Sequence, residues 1–406
     1  MDLKKAALDY HEFPRPGKTS IAPTKAFASQ DDLSLAYTPG VATPVLAIAE
    51  EESNAYKYTN KGNLVGVVTD GSAVLGLGNV GALAGKPVME GKAVLFKRFA
   101  DIDVFDIEVK AHSSEAFVET VAAIAPTFGG INLEDIAAPQ CFAIEESLKK
   151  RLNIPVFHDD QHGTAIVVCA GLINALELQG KRLSDVNIVV LGAGSAGIAT
   201  AKLMISLGAQ RQNIVMVDSR GIIHTGRSDL NVYKEAFAID TSLRTINEAM
   251  LGADVLIGLS GPDTISQDMI KTMSSRAIVF ALSNPVPEIY PDQILEVRNQ
   301  TIVATGRSDF PNQVNNSLVF PFIFRAALDA GISKIEPYLM MAAAQCLASF
   351  AKQPVPQEVL DAYGVEHMEF GPDYILPKQF DPRLRDCMVG GMMQAIEENT
   401  KEQSNS

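Results

Sequence analysis

The chain has 406 residues, 47% of them hydrophobic and 20% charged, which is too long for one compact core and normal for a folded protein of two domains. Its 34 basic and 48 acidic residues leave a net charge of −14, which argues against nucleic acid or an anionic membrane as partner and leaves a small anionic substrate open. The four cysteines form no CxxC pair, so neither a thiolate zinc site nor a disulfide framework is suggested. With no apolar N-terminal core of signal-peptide length and no run of about 18 apolar residues, the expected location is the cytoplasm.

In chain order, Leu64 to Thr69 (LVGVVT) reads as a buried strand, as do Ala93 to Phe96 and Val104 to Val109. Ser114 to Ala123 and Glu134 to Lys150 carry helical spacing. The chain divides near Phe157 to Thr164, after which a helix is expected from Thr164 to about Leu178. A regular alternation follows: strand Asn187 to Leu191, helix Ala196 to Leu207, strand Asn213 to Val217. Three more short apolar runs, at 254–260, 277–283 and 301–305, are each bounded by Gly, Pro, Asn or Ser. Such alternation implies βαβ units and a parallel sheet covered on both faces. The expected fold is therefore α/β, with a smaller N-terminal α/β domain over residues 1–160 and a doubly wound Rossmann-type domain over 161–406. The latter ends in helices near 336–351 and 385–399 and a frayed polar tail, KEQSNS.

The sequence Gly192-Ala193-Gly194-Ser195-Ala196-Gly197 is a G-x-G-x-x-G that follows a strand and opens a helix, the context a dinucleotide site requires. Gly192 would permit the tight turn, Gly194 the approach of the pyrophosphate and Gly197 close helix–strand packing. The helix start at Ser195 and Ala196 would offer free N–H groups to the phosphates. A Gly-rich turn with no ligand is the plainer reading, and the strand–turn–helix context weighs against it. The second strand ends at Asp218, the position of an acid that holds a ribose 2′-hydroxyl and favours NAD. Arg220 and Arg227 follow, with His224 between them, and arginines here favour the 2′-phosphate of NADP.

Two acidic pairs stand out, Glu134-Asp135 and Asp159-Asp160. Oxygen ligands without cysteine suit Mg2+ or Mn2+. Either pair alone is read as helix capping; together, upstream of a dinucleotide fold, they read as a metal cluster. His158 and His162 flank the second pair without an HExxH motif and are read as structural. Tyr37, in YTPG, is a general-acid candidate, although a half-buried turn residue is the simpler reading. Lys92, entering the apolar run AVLF, is a candidate base whose pKa desolvation would lower. Lys86 is its rival, and a solvated strand-edge lysine is the plain alternative.

These residues together resemble the malic enzyme family. The blocks YTPGVA, TDGSAVLGLGNVG, GKAVLF, FGGINLEDI, VFHDDQHGTA, GAGSAG, ALSNPVPE and ATGRSDFPNQVNNSLVFPF carry the resemblance across nearly the whole chain. The chain is most similar to the small bacterial type, and in particular to the catalytic module otherwise fused to a phosphotransacetylase-like domain; with the chain ending at Ser406, no such module is expected here. The resemblance implies an N-terminal catalytic domain, with Tyr37 as general acid and Lys92, rather than Lys86, as general base. It implies Glu134, Asp135 and Asp160 as metal ligands, with Asp159 behind them. Asn284 would lie near nicotinamide and substrate, and the pair Asn315 and Asn316 would meet the malate carboxylate. It further implies NADP or NAD as cofactor with a lean to NADP, Mg2+ or Mn2+, malate as substrate, and a homodimer. One departure is plain: the larger enzymes carry a carboxylate-gripping arginine where this chain has Ala73. The competing expectations are a dehydrogenase that does not decarboxylate and a catalytically silent dinucleotide-binding module.

Overall fold

The computed structural model describes residues 3–74 and 76–404. Its first sheet has four parallel strands in the order β2-β1-β3-β4: β1 (Leu64–Thr69), β2 (Asp103–Glu108), β3 (Gly130–Leu133) and β4 (Val156–His158). The second has six, ordered β10-β9-β8-β5-β6-β7: β5 (Ile188–Leu191), β6 (Ile214–Asp218), β7 (Gly221–Ile222), β8 (Val255–Gly258), β9 (Ile278–Ala281) and β10 (Ile302–Thr305). All pair in parallel except the short β7, which turns back on β6. Strands β5, β8 and β9 are buried throughout, as a parallel sheet covered on both faces requires. The doubly wound expectation thus holds, together with the smaller sheet before it.

Two expectations in the N-terminal half and one at the C-terminus are corrected. Ala93 to Phe96 is no strand but part of a helix, Ala82–Ala100, even though that helix contains Gly85, Pro87 and Gly91. Its buried residues Gly85, Met89, Lys92, Ala93, Phe96 and Ala100 recur at helical spacing, so burial of one stripe overrides the weak local propensity. The helical reading of Glu134 to Lys150 starts too early: β3 ends at Leu133, the acidic pair lies in a loop, and the helix is Gln140–Arg151. The strand itself was hidden by its glycines. A Cβ on Gly129 would lie 2.4 Å from the carbonyl oxygen of Lys61, and one on Gly130 would lie 2.9 Å from the Phe324 ring. Finally, the last helix runs over Leu384–Ser404, so the tail is helical as far as it is described; residues 405–406 lie outside.

The C-terminal chain ties the two sheets together. Helix Thr164–Gln179 packs on Pro337–Phe350, which packs on Leu384–Ser404; that helix meets Phe320–Ala330, which rests on Ala82–Ala100 beside the first sheet. Phe96 stands edge-on to Phe320 and Phe324 at centroid distances of 4.8 and 5.4 Å, and Phe324 edge-on to Phe157 at 5.9 Å. One continuous core spans both sheets, and a second covers the other face of the six-stranded sheet.

The segment before β1 differs. Its helices Leu3–Glu12, Gln30–Ala36 and Ala42–Glu50 bury no residue. Leu35, Leu46 and Tyr37 are 76%, 69% and 67% exposed, and Leu33, Val41 and Val45 between and beside them are exposed too, a concentration of exposed apolar side chains in one short segment.

Candidate active site

In open parallel sheets, ligands bind beyond the carboxyl ends of the strands, and there the acidic pairs converge. Glu134 and Asp135 follow β3; Asp159 and Asp160 follow its neighbour β4, with Leu133 paired to His158. Ligand oxygens of Glu134, Asp135 and Asp160 all lie within 4.8 Å of one another. Asp135 adopts a left-handed backbone, φ 55°, and its N–H donates to Asp160 Oδ2 at 2.7 Å. Asn132, not singled out in the sequence, donates its amide to Glu134 Oε2 at 2.9 Å. The Ala73 N–H donates to the Asp135 carbonyl at 2.9 Å, so the loop after β1 borders the cluster too.

Burial and mutual repulsion push the carboxyls of Glu134, Asp135 and Asp160 well above the ordinary range. Asp159 is pushed up to about 7, chiefly by burial, against the pull of Lys92. Oxygen Oδ2 of Asp135 and Oδ1 of Asp159 are buried without a hydrogen-bond partner. Buried carboxylates of like charge persist only when paired or bound to a cation. A hard divalent ion held by Glu134, Asp135 and Asp160 fits this all-oxygen set.

Lys92 comes in from helix Ala82–Ala100, nearly buried. Its Nζ lies 3.0 Å from Glu134 Oε1 and is in direct ion-pair contact with Asp159. It sits 3.4 Å from Asn316 Oδ1 and 4.4 Å from the centre of the Phe320 ring. Burial does act to lower its pKa, but Asp159, Glu134 and Asp160 outweigh burial and raise it; the expected downward shift is corrected to that extent. Lys86 points elsewhere, to Asp106 and Glu108. Gly163 makes room for the arrangement, since a Cβ there would lie 1.8 Å from Asp159 Oδ1. His158 is buried and pushed down to about 4 by desolvation, hence neutral, and His162 bonds both oxygens of Glu145 at 2.9 and 3.0 Å.

The other expected residues divide in two. Asn316 reaches Lys92, whereas the side chain of its neighbour Asn315 accepts from the Ser317 N–H. Asn284, after β9, nestles against the N-terminal domain: a Cβ on Gly76 would lie 3.0 Å from its carbonyl oxygen, and one on Gly306 2.2 Å from its Nδ2. Tyr37 closes helix Gln30–Ala36, with no side-chain hydrogen bond or ring contact among the described residues.

A cavity of about 940 Å3 opens over the G-x-G-x-x-G turn, lined in part by Gly192, Gly194, Asp218, Arg220, Lys234 and Arg244. Gly192 has φ 113°, Gly194 faces open space, and a Cβ on Gly197 would lie 1.9 Å from the Gly192 carbonyl. Gly192 thus permits the turn, Gly197 the close packing of helix on strand, and Gly194 leaves the space above the backbone open. Helix Ser195–Ser206 starts there, its N-terminus at Ser195 and Ala196. Asp218 is already engaged: Arg227 grips both oxygens at 2.8 and 3.0 Å, Lys234 donates at 2.7 Å and the Arg220 N–H at 2.9 Å. Burial opposes it, yet these bonds hold the Asp218 carboxyl down at about 2. Arg227, held by Asp218 and Asp229, does not line the cavity; the cations that do are Arg220, which also pairs with Asp229 at 3.1 Å, Lys234, paired with Asp218, and Arg244. The sequence reading missed the last two because they lie 16 and 26 residues beyond Asp218.

A dinucleotide-cradling parallel sheet, joined to a buried lysine–carboxylate cluster suited to a divalent cation, defines a dinucleotide-linked oxidoreductase. Comparison with known proteins makes this particular. The family model for the malic enzyme N-terminal domain matches residues 16–116 and 111–149, and that for the malic enzyme NAD binding domain matches 161–361. The chain is 56% identical over 392 residues to the NADP-dependent malic enzyme of Halomonas elongata, covering 97% of this chain and 93% of that one. It is 55% identical to the NADP-dependent malic enzyme of Escherichia coli, covering 94% of this chain but 51% of the relative, so it spans about half that protein's length. The crystal structure of malic enzyme from Pyrococcus horikoshii matches with a TM-score of 0.89 at 43% identity, covering 98% of this chain and 91% of that one. The chain belongs to the malic enzyme family.

Proposed function

We propose that this chain catalyses the metal-dependent oxidative decarboxylation of (S)-malate to pyruvate and CO2 with reduction of NADP, NAD being the poorer cofactor, and that it decarboxylates oxaloacetate as well. The observation that carries this is Lys92, buried between Glu134 and Asp159, 3.0 Å from the former: a proton-handling amine set against a cluster of cation-seeking oxygens.

Glu134, Asp135 and Asp160 would hold the cation, which when bound supplies Lewis acidity that stabilises the enolate left as CO2 departs. With Glu134 and Asp160 engaged, part of the field that keeps the proton on Lys92 is removed, Asp159 remains as its partner, and burial favours the neutral amine. Lys92 then takes the C2 hydroxyl proton as hydride passes from C2 to the nicotinamide. The bond from C3 to the departing carboxylate breaks, CO2 leaves, and its electron pair stays in the enolate of pyruvate. Protonated Lys92 steadies that charge in a site shielded from water. Tyr37 delivers the proton to C3. Asn284 and Asn316, with Asn315 beside it, orient the nicotinamide and the substrate carboxylate.

The lean to NADP rests on Asp218. Its acceptor positions are taken by Arg227, Lys234 and a backbone N–H, so it has little left for a 2′-hydroxyl. Arg220, Lys234 and Arg244 around it form a cationic rim suited to a 2′-phosphate.

Tyr37 stands exposed on an unpacked N-terminal segment. We therefore propose a two-fold homodimer in which this segment covers the partner and Tyr37 of the partner subunit completes each site. If so, mixing inactive Tyr37→Phe and Lys92→Ala proteins restores activity through mixed dimers carrying one intact site, about a quarter of wild type at random exchange; no recovery despite proven exchange speaks against the shared site. A division at 160/161 and a cytoplasmic location complete the reading; no helix among the described residues is long and apolar enough to cross a membrane.

The deciding experiment follows reduced-cofactor absorbance with malate, separately with NADP and NAD, each with Mn2+ and with EDTA. Metal-dependent reduction with matching pyruvate release is the expected result. Reduction that survives EDTA without pyruvate would mean a plain dehydrogenase, and no reduction by folded protein a silent module.

A further inference from the structure

Behind the metal cluster lies a second cleft that the reaction does not use. Helices Gln140–Arg151 and Ser195–Ser206 and the start of Pro337–Phe350 enclose two adjoining cavities of about 390 and 400 Å3. Both are lined by Lys149, His162, Ala199, Lys202 and Lys334. Together the linings hold four lysines against three glutamates, on a chain whose net charge is −14. Lys149 pairs with Glu145 at 2.7 Å and Lys150 with Glu146 at 2.6 Å. Lys202 acts on Glu146 only at a distance, and among the described residues neither Lys202 nor Lys334 has an ion-pair partner. Glu336 is the remaining carboxylate of the lining. Leu203, Ile335 and Met340 supply an apolar wall.

We propose that this cleft binds a phosphomonoester with a short carbon skeleton, and that its occupation tunes the metal site. Lys149, Lys202 and Lys334 approach from three separate chain segments. Point-charge donors from three directions suit a tetrahedral dianion with three acceptor oxygens, while the apolar wall takes the carbon end. The route to the metal is short. The Glu145 carboxylate, buried at the floor, accepts from the His158 N–H at 3.3 Å, from Gln161 at 3.2 Å and from His162 at 2.9 Å. Those residues belong to β4 and to the wide helical turn Asp159–Gly163, which carries Asp159 and Asp160. An anion that draws Lys149 off Glu145 changes how firmly Glu145 holds that turn. The cleft is separate from the dinucleotide cavity, with which its lining shares only Phe142.

The test uses propyl phosphate, titrated calorimetrically into the protein saturated with NADP and Mg2+ without malate, so that the cofactor's own phosphate sites are filled. The double variant Lys202→Glu, Lys334→Glu changes exposed side chains outside the catalytic machinery and is checked for unchanged melting and basal turnover. One site per chain is expected, weakened by roughly a hundredfold in the double variant, about tenfold per lysine. Absence of binding up to about 10 mM, or equal binding by the double variant, overturns the site. Sulfate should bind more weakly than propyl phosphate; equal affinity overturns the role of the apolar wall. In wild type, but not in the double variant, propyl phosphate should shift the Mg2+ dependence of turnover at least twofold; an unmoved midpoint overturns the coupling.

Discussion

Replacing Lys92 by alanine should separate two properties that most active-site variants confuse. As the base, Lys92 supplies a factor of about 10²–10⁴, so kcat for malate oxidation should fall by that much. Metal binding should move the other way. Lys92 Nζ lies 3.0 Å from Glu134 Oε1; adding a metal–oxygen distance of about 2.1 Å places a protonated lysine roughly 5 Å from the dication. At an effective dielectric near 20 that repulsion is about 7 kcal/mol. It is an upper bound, because the lysine can shed its proton and relieve it. Even a fifth of it is worth about tenfold, so Mn2+ should bind Lys92→Ala at least tenfold more tightly, read by the proton relaxation of bound Mn2+ or by calorimetry. A folded variant that loses Mn2+ affinity would mean that the ammonium holds the carboxylates together, and one that keeps kcat within tenfold would mean that another group takes the proton.

Adding Mn2+ should raise the melting temperature, by the equivalent of about 2.7 kcal/mol at a hundredfold excess over Kd, and Glu134→Gln with Asp135→Asn should abolish the rise. The pair Arg220→Ala and Lys234→Ala should raise KM for NADP roughly 10- to 100-fold while KM for NAD changes little; equal losses for both cofactors would remove the 2′-phosphate assignment. Gly163→Ala places a Cβ 1.8 Å from Asp159 Oδ1 and should cost about 1–3 kcal/mol of stability together with turnover, and an unchanged melt and kcat would show that Asp159 moves freely.

The six-stranded sheet was legible because its signals are local. Each strand is a short apolar run between turn residues, and in GAGSAG each glycine answers a constraint within a few residues. The first sheet was harder. Strand β3 is short, preceded by Gly129 and begun by Gly130, which serve neighbours from residues 61 and 324 that no local window contains. Helix Ala82–Ala100 hid behind AVLF, although the spacing 85–89–93–96–100 was present to be read. The acidic pairs were visible as pairs, but only the register of β3 with β4 brings them together. The proton state of Lys92 was beyond reach of the sequence, since its burial and the field of three carboxylates far away in the chain act in opposite directions. Lys234 and Arg244 escaped notice for the same reason: the fold, not the chain, carries them to Asp218.

The interlocked rings between the sheets have a consequence for anyone altering or transplanting this site. Phe96 lies one helical turn after Lys92, Phe320 four residues after Asn316, and Phe157 two before Asp159; Phe324 touches two of the three. Each ring anchors one of the strands of chain that deliver a functional group. Trimming the fully buried Phe324 to leucine alters no reacting atom, yet it loosens the two deliveries it touches, those of Lys92 and Asp159, so catalytic precision should erode along with about 1 kcal/mol or more of stability. A graft of Lys92, Glu134, Asp135 and Asp160 onto another scaffold would need this aromatic joint carried along with them.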